Sequence, residues 1–268
     1  MYNNTISLPN GVQIPLLALG TWLIPDDRVG AAVSSALDIG YRHIDSAQGY
    51  ENERGVGEAV RKSGIKREDI FVTSKVLAEI KDYDGAARSI DRSLKVSGLD
   101  YIDLMLIHCP QPWAEFNKSP DRCVEGNRAV WRAMTDAYKA GKLRAIGVSN
   151  FSETDIDSLW EAAEIKPMVN QVSCCVGNTP RALIDHCTSR GMIMEAYCPL
   201  GHGNVIGNRK IAAYADKYSI TTAQLCVRYC IQLGMPALPK TENPAHMANN
   251  ADLDFVISEE DMKALENL

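Results

Sequence analysis

Hydrophobic positions along this chain follow two alternating periods. Short apolar runs give way to longer stretches in which apolar residues recur every three or four positions. The segments Ile6-Ser7-Leu8 and Val12-Gln13-Ile14 flank Pro9-Asn10-Gly11, which predicts a small hairpin turning at Asn-Gly. Residues 16–19 predict a first buried strand, ended by Gly20. Residues 28–39 predict a helix with Val29, Ala32, Val33, Ala36 and Leu37 on one face and Gly40 as its stop. Further strands are predicted at 41–44, 70–74, 101–107, 144–148, 168–172, 192–196 and 236–239. The intervening helices are predicted at 51–62, 84–96, 124–140, 153–163, 180–188, 208–217, 222–233 and 259–268. Ser152 suits a helix cap, Thr221 with Gln224 a capping box, and Pro180 a helix start. Leu104-Met105-Leu106-Ile107 is apolar on both faces, as a buried parallel strand requires.

Eight strands, each followed by helix, predict an α/β fold: a (β/α)8 TIM barrel with a short N-terminal β-hairpin. The 268 residues match the size of such a barrel, about 250 residues. No composition shift marks a boundary, so residues 1–268 are expected to form one domain. An open doubly wound sheet is the competing arrangement.

Composition narrows the function classes. A net charge of -6 without a basic cluster argues against nucleic acid and anionic membranes as partners. No apolar run approaches the roughly 20 residues of a membrane span. The first five residues lack the basic and apolar regions of a leader, so a cytoplasmic protein is expected, as a monomer or weak oligomer. The eight cysteines form no C-x-x-C pair and are expected to be reduced, mostly buried thiols.

The chemistry of a barrel lies at the C-terminal ends of its strands. Asp45 falls after the second predicted strand, Lys75 after the third and His108 after the fourth. Ser149 and Asn150 follow the fifth, Gln171 the sixth, Tyr197 the seventh, and Lys240 and Thr241 the eighth. Tyr50 lies just past the second. A phenol is a poor acid at neutral pH, with a pKa near 10. An ammonium ~4 Å away would favour the phenolate by about 4 kcal/mol at an effective dielectric near 20, so Lys75 is expected to lower the Tyr50 pKa. Asp45 would orient Lys75, and a neutral His108 would hold the reacting oxygen. Such a proton donor suits a carbonyl oxygen gaining negative charge. No side chain delivers hydride, so a nicotinamide cofactor is expected. His43 with Asp45 offers too few ligands for a metal, and none is expected. The glycines between Gly201 and Gly207 miss the dinucleotide fingerprint by one residue.

These residues resemble the aldo-keto reductase family. The matching pieces are Asp45 to Glu53, Lys75, Leu106-Ile107-His108, Gly147 to Phe151, Asn170-Gln171, Ala196 to Gly201, and Leu238-Pro239-Lys240-Thr241. They run in family order over nearly the whole chain. They look most like the short members of the 2,5-diketogluconate reductase and prostaglandin F synthase type. The resemblance implies a TIM barrel that reduces aldehyde or ketone carbonyls with NADP(H), an oxidoreductase of the alcohol dehydrogenase type. It implies Tyr50 as acid/base, with Asp45, Lys75 and His108 as its partners. Ser149, Asn150 and Gln171 would bind the nicotinamide carboxamide, and Tyr197 would stack on its ring. Leu200 begins a loop over the pyrophosphate, while Lys240, Thr241 and Asn250 would hold the adenosine end with its 2′-phosphate. Thr21, Trp22 and Cys198 are further expected cofactor contacts. Trp22, Tyr50, His108 and Trp113 would wall the pocket for a small carbonyl substrate.

The chain also departs from the family pattern. His246 stands where an arginine is frequent, which leaves NAD(H) open beside NADP(H). Asn249 replaces an acid that often contacts adenine. Val172 to Cys175 replaces an acid and a His-Pro, and Cys109 a frequent tryptophan. The chain ends soon after its last predicted helix, so no long C-terminal substrate loop is expected. The alternative is a non-catalytic nucleotide-sensing or scaffold protein on the same barrel.

Overall fold

Gly11, at φ +85°, reverses the chain between β1 (Thr5–Ser7) and β2 (Gln13–Pro15), which pair antiparallel with Ile6 opposite Ile14. This is the expected hairpin. Asn10 ties it to the barrel by donating to the Arg144 carbonyl at 2.9 Å. The computed structural model describes residues 4–268; residues 1–3, part of the stretch without leader features, lie outside it.

The remaining strands form one parallel sheet in chain order. They are β3 (Leu19–Gly20), β4 (His43–Asp45), β5 (Phe71–Val76), β6 (Ile102–Ile107), β7 (Leu143–Ser149), β8 (Val169–Ser173), β9 (Ile193–Tyr197) and β10 (Ala237–Leu238). The first and last meet. Leu17 bridges Ala237 and Gly20 bridges Lys240, and Gly20 N donates to Pro239 O at 3.0 Å. That contact closes the sheet into a barrel and rules out the open doubly wound alternative. A Cβ on Gly20 would lie 3.1 Å from the Leu238 carbonyl, so the seam itself favours glycine.

Helices cover the outside: α1 (Asp26–Ile39), α2 (Glu53–Lys62), α3 (Tyr83–Ser97), α4 (Val124–Lys139), α5 (Glu153–Ala162), α6 (Arg181–Thr188), α7 (Arg209–Lys217), α8 (Thr222–Gln232), α9 (Pro244–Ala251) and α10 (Glu259–Glu266). The face of α1 read from the sequence is the buried one. Both capping boxes form, at Ser152–Asp155 and Thr221–Gln224. Pro180 serves as the cap of α6 rather than its first residue. Helices α2 and α3 touch closely: a Cβ on Gly57 would fall on the Ser97 carbonyl.

Two segments differ from the sequence expectation. The hydrophobic pattern leaves residues 244–251 outside any predicted helix, because Asn and Pro punctuate them. Asn243 instead caps a helix with Pro244 in its first turn, and Met247, Asn250 and Ala251 bury its inner face. Glu51 does not begin a helix. It sits at φ 55° after a 3-10 turn, Gln48–Tyr50, so that α2 starts at Glu53. All eight cysteines are unpaired; six are buried, and Cys123 and Cys198 are half-buried. No described helix is long and apolar enough to cross a membrane.

Candidate active site

Side chains two apart on a strand share a face, so β4 turns His43 and Asp45 into the barrel and β5 turns Thr73 and Lys75 inward. Lys75 Nζ lies 2.8 Å from both Asp45 oxygens, 2.9 Å from Ser46 O and 3.4 Å from Tyr50 Oη. The 3-10 turn that carries Tyr50 is clamped at both ends. Gln48 accepts from Leu77 N at 3.0 Å and donates to Ser89 O and Ser93 Oγ. Asn52 donates to the Thr21 and Ile24 carbonyls and accepts from Ser46 Oγ. The phenol is thereby held against the ammonium by polar contacts on several elements.

The electrostatics depart from expectation at the phenol. Burial raises the Tyr50 pKa above its ordinary value; Lys75 pulls it down without prevailing. The predicted lowering therefore does not hold for this structure, because desolvation of the phenolate was absent from the sequence argument. Burial alone would lower the Lys75 ammonium, but Asp45 and Tyr50 beside it keep it above its ordinary value. His108 is pushed down to about 3 by burial and by Lys75, so its ring is neutral as expected. It meets Tyr50 edge-on at 5.7 Å and Trp113 at 5.1 Å. Its Nδ1 is buried without a partner among the described residues.

These groups border one cavity of about 580 Å³. Asp45, Tyr50, His108, Trp22, Trp113, Ser149, Asn150, Gln171, Tyr197, Cys198 and Lys240, all expected from the sequence, line it. Lys75 lies behind the wall, 1% exposed. Asn150, at φ 62°, donates to His108 O and Ser149 Oγ and accepts from Tyr197 Oη at 2.7 Å. Ser149 Oγ donates to Gln171 O at 2.8 Å. This chain of bonds fixes the polar lining of the cavity, and burial raises the Tyr197 phenol to about 12. Trp22, Leu77 and Trp113 add apolar surface to the same lining.

Several expected cofactor contacts do not line this cavity. Thr21 is fully buried; its Oγ1 and N both donate to Asp45 O, because pairing of β3 with β4 turns it inward. Leu200 packs half-buried against the core before the turn at Gly201–Gly203. Thr241 adjoins Lys240, with its Oγ1 accepting from Asn243 N. On α9, Asn249 is engaged with Thr221 and Gln224 and Asn250 is 2% exposed, which leaves His246 exposed on that helix. Lys240 itself is paired loosely with Glu242 at 3.4 Å.

Sequence reasoning missed other residues here. Leu77 and His202 line the cavity, and His202 lies 3.5 Å from Cys198 Sγ and edge-on to Trp22 at 5.6 Å. Beneath the floor is Glu195, fully buried on β9, with Oε2 3.1 Å from Gln171 Nε2. A charged residue type within the apolar run 192–196 was the available signal. His43, read only against a metal site, is buried beside it and pushed down to about 4 by burial.

Comparison with known proteins supplies a further line of observation. A family model described as the Aldo/keto reductase family matches residues 16–268. The glyoxal reductase of Bacillus subtilis is 38% identical over 99% of this chain and 92% of its own length. The 9,11-endoperoxide prostaglandin H2 reductase of Trypanosoma cruzi is 37% identical over 99% of this chain and 91% of its own. The crystal structure of a Bombyx mori aldo-keto reductase in complex with NADP superposes with a TM-score of 0.88, at 35% identity, over 99% of this chain and 92% of that one.

Proposed function

The chain belongs to the aldo/keto reductase family, and from that membership and its cavity we propose that it reduces aldehyde or ketone carbonyls to alcohols with NADPH, Tyr50 acting as the general acid. The observation that carries this reading is the contact of Tyr50 Oη with Lys75 Nζ, itself locked on Asp45, at the wall of a cavity lined by both polar and apolar side chains.

The residues present fit a nicotinamide nucleotide. The polar lining offers Ser149, Asn150 and Gln171 around an aromatic face, Tyr197, and Lys240 at the rim supplies a cation for a 2′-phosphate. When bound, NADPH supplies the hydride. The protein's own part is to hold the carbonyl and manage a proton. Neutral His108 directs a ring nitrogen at the carbonyl oxygen and fixes its position. As negative charge develops there, Tyr50 gives up its proton, and the Lys75 ammonium stabilises the phenolate left behind. Because burial raises the resting phenol, Lys75 acts mainly on this developing charge rather than by pre-ionising Tyr50. Trp22, Leu77 and Trp113 exclude water from the carbonyl carbon. Thr21 spends its hydroxyl on the Asp45 carbonyl, so the adenosine end of the cofactor falls to the neighbourhood of Lys240, Thr241 and α9, where His246 is exposed.

Tyr50→Phe tests the reading. NADPH binding persists within about twofold, while kcat/KM for a small aldehyde falls by about 10²–10⁴. Undiminished reduction by that variant would refute the assignment. NADPH binding without turnover by the unaltered protein, across a panel of aldehydes, would favour the non-catalytic sensor instead.

A further inference from the structure

Glu195 is completely buried in the middle of β9 and takes no part in the reaction above. Its Oε2 lies 3.1 Å from Gln171 Nε2, and that same nitrogen lies 2.9 Å from Asp45 Oδ2. An amide nitrogen carries two hydrogens. Both are directed at carboxyl oxygens, one of Asp45 in the cavity lining and one of Glu195 behind it. No described residue donates to Gln171 Oε1, and Gln171 lines the cavity.

Glu195 is suited to this task because it is neutral. Its Oε1 has no hydrogen-bond partner among the described residues and lies 3.9 Å from His43 Nε2. A carboxylate buried with one bare oxygen is strongly disfavoured. The groups facing it are Asp45 and His43 from β4, Lys75 from β5 and Gln171 from β8. Burial first, then the Asp45 charge, lift its pKa to about 8, against smaller opposing effects of Gln171 and Lys75. The floor therefore carries one negative charge, Asp45, matched by one positive charge, Lys75. The strand register places Glu195 directly beside Gln171.

We propose that Glu195 is a positioning residue for the cofactor: with Asp45 it takes both N–H groups of Gln171, so that this amide presents only its carbonyl oxygen to the cavity and accepts a hydrogen bond from the nicotinamide carboxamide. The inference rests on the proposed reading of the cavity. A Gln171 amide turned the other way would set its oxygen against the Asp45 carboxylate, which the fold opposes. With Glu195 removed, one N–H loses its acceptor and the amide is free to swing outward.

The test compares NADPH with the reduced 3-acetylpyridine analogue, in which a methyl ketone replaces the carboxamide. The ketone accepts hydrogen bonds and donates none. Dissociation constants are measured on the substrate-free protein by tryptophan fluorescence, at pH 7, for the unaltered chain, Glu195→Gln and Glu195→Leu. The unaltered chain binds NADPH about tenfold tighter than the analogue, the factor expected of one hydrogen bond. Glu195→Gln, a neutral acceptor of the same shape, keeps that ratio, whereas Glu195→Leu brings it below about threefold. A ratio for Glu195→Leu equal to that of the unaltered chain overturns the proposal. So does equal or tighter binding of the analogue by the unaltered chain, a measurement that decides the matter even where Glu195→Leu does not fold. Failure of both dinucleotides to bind overturns the cofactor reading itself, whereas binding without preference overturns only the role of Glu195.

Discussion

Lys75 Nζ stands 2.8 Å from both carboxylate oxygens of Asp45, in a pair that is 1% and 4% exposed. Opposite charges taken out of water stabilise a fold only as a pair, and removing one partner leaves the other stranded. Lys75→Met therefore lowers stability by about 3–5 kcal/mol. Adding Asp45→Asn in the same chain restores part of the loss. Urea unfolding of the single and double variants measures both effects. On the proposed mechanism, carbonyl reduction is lost in both variants, because the ammonium that would stabilise the Tyr50 phenolate has gone.

Three buried groups give stability a pH signature. His43 and His108 are held down from 6.5 to about 4 and about 3, chiefly by burial. Their contribution is present above pH 6.5 and is lost as pH falls toward those values. Glu195 is raised from 4.5 to about 8, chiefly by burial, so its contribution is full below pH 4.5 and is lost as pH rises through 8. Glu195→Gln removes the second dependence. That variant gains thermal stability over the unaltered chain at pH 8, and the gap narrows at pH 5. A gap that stays constant from pH 5 to pH 8 contradicts the buried neutral acid.

Lys240 is the cation at the cavity rim, and Glu242 holds it only at 3.4 Å. Lys240→Met weakens NADPH binding by about 10-fold or more, the range of a charge-assisted hydrogen bond, and leaves NADH within about twofold. Parallel titrations with the two nucleotides measure it. An equal loss for both would place the 2′-phosphate elsewhere.

Gly57 offers a test of packing far from the chemistry. Alanine has the better helix propensity by about 1 kcal/mol. Yet the added methyl would fall on the Ser97 carbonyl where α2 meets α3, and backbone cannot yield as a side chain can. Gly57→Ala therefore destabilises by about 1–3 kcal/mol despite the propensity gain. A raised melting temperature would show that the helices can part without loss.

Much of the architecture was legible because it is written locally. Periods of two and of three to four residues mark strands and helices without knowledge of their partners. Strand ends alone brought Asp45, His108, Ser149, Asn150, Gln171, Tyr197 and Lys240 to one rim. Residues 244–251 were lost to the loop reading because their helix depends on what Met247 and Ala251 bury, which turn-forming Asn and Pro conceal.

The linear order of this chain determined its repeating strand–helix units and which polar side chains stand at the strand ends, since both follow from nearest-neighbour geometry. Only the tertiary structure decided that Gly20 meets Lys240 to close the ring, that Thr21 turns inward, that the Tyr50 phenol is raised rather than lowered, and that Glu195 lies neutral under Gln171. Each of these depends on depth from solvent or on contact between residues distant in the chain, and desolvation acts on groups only once the surrounding walls are assembled.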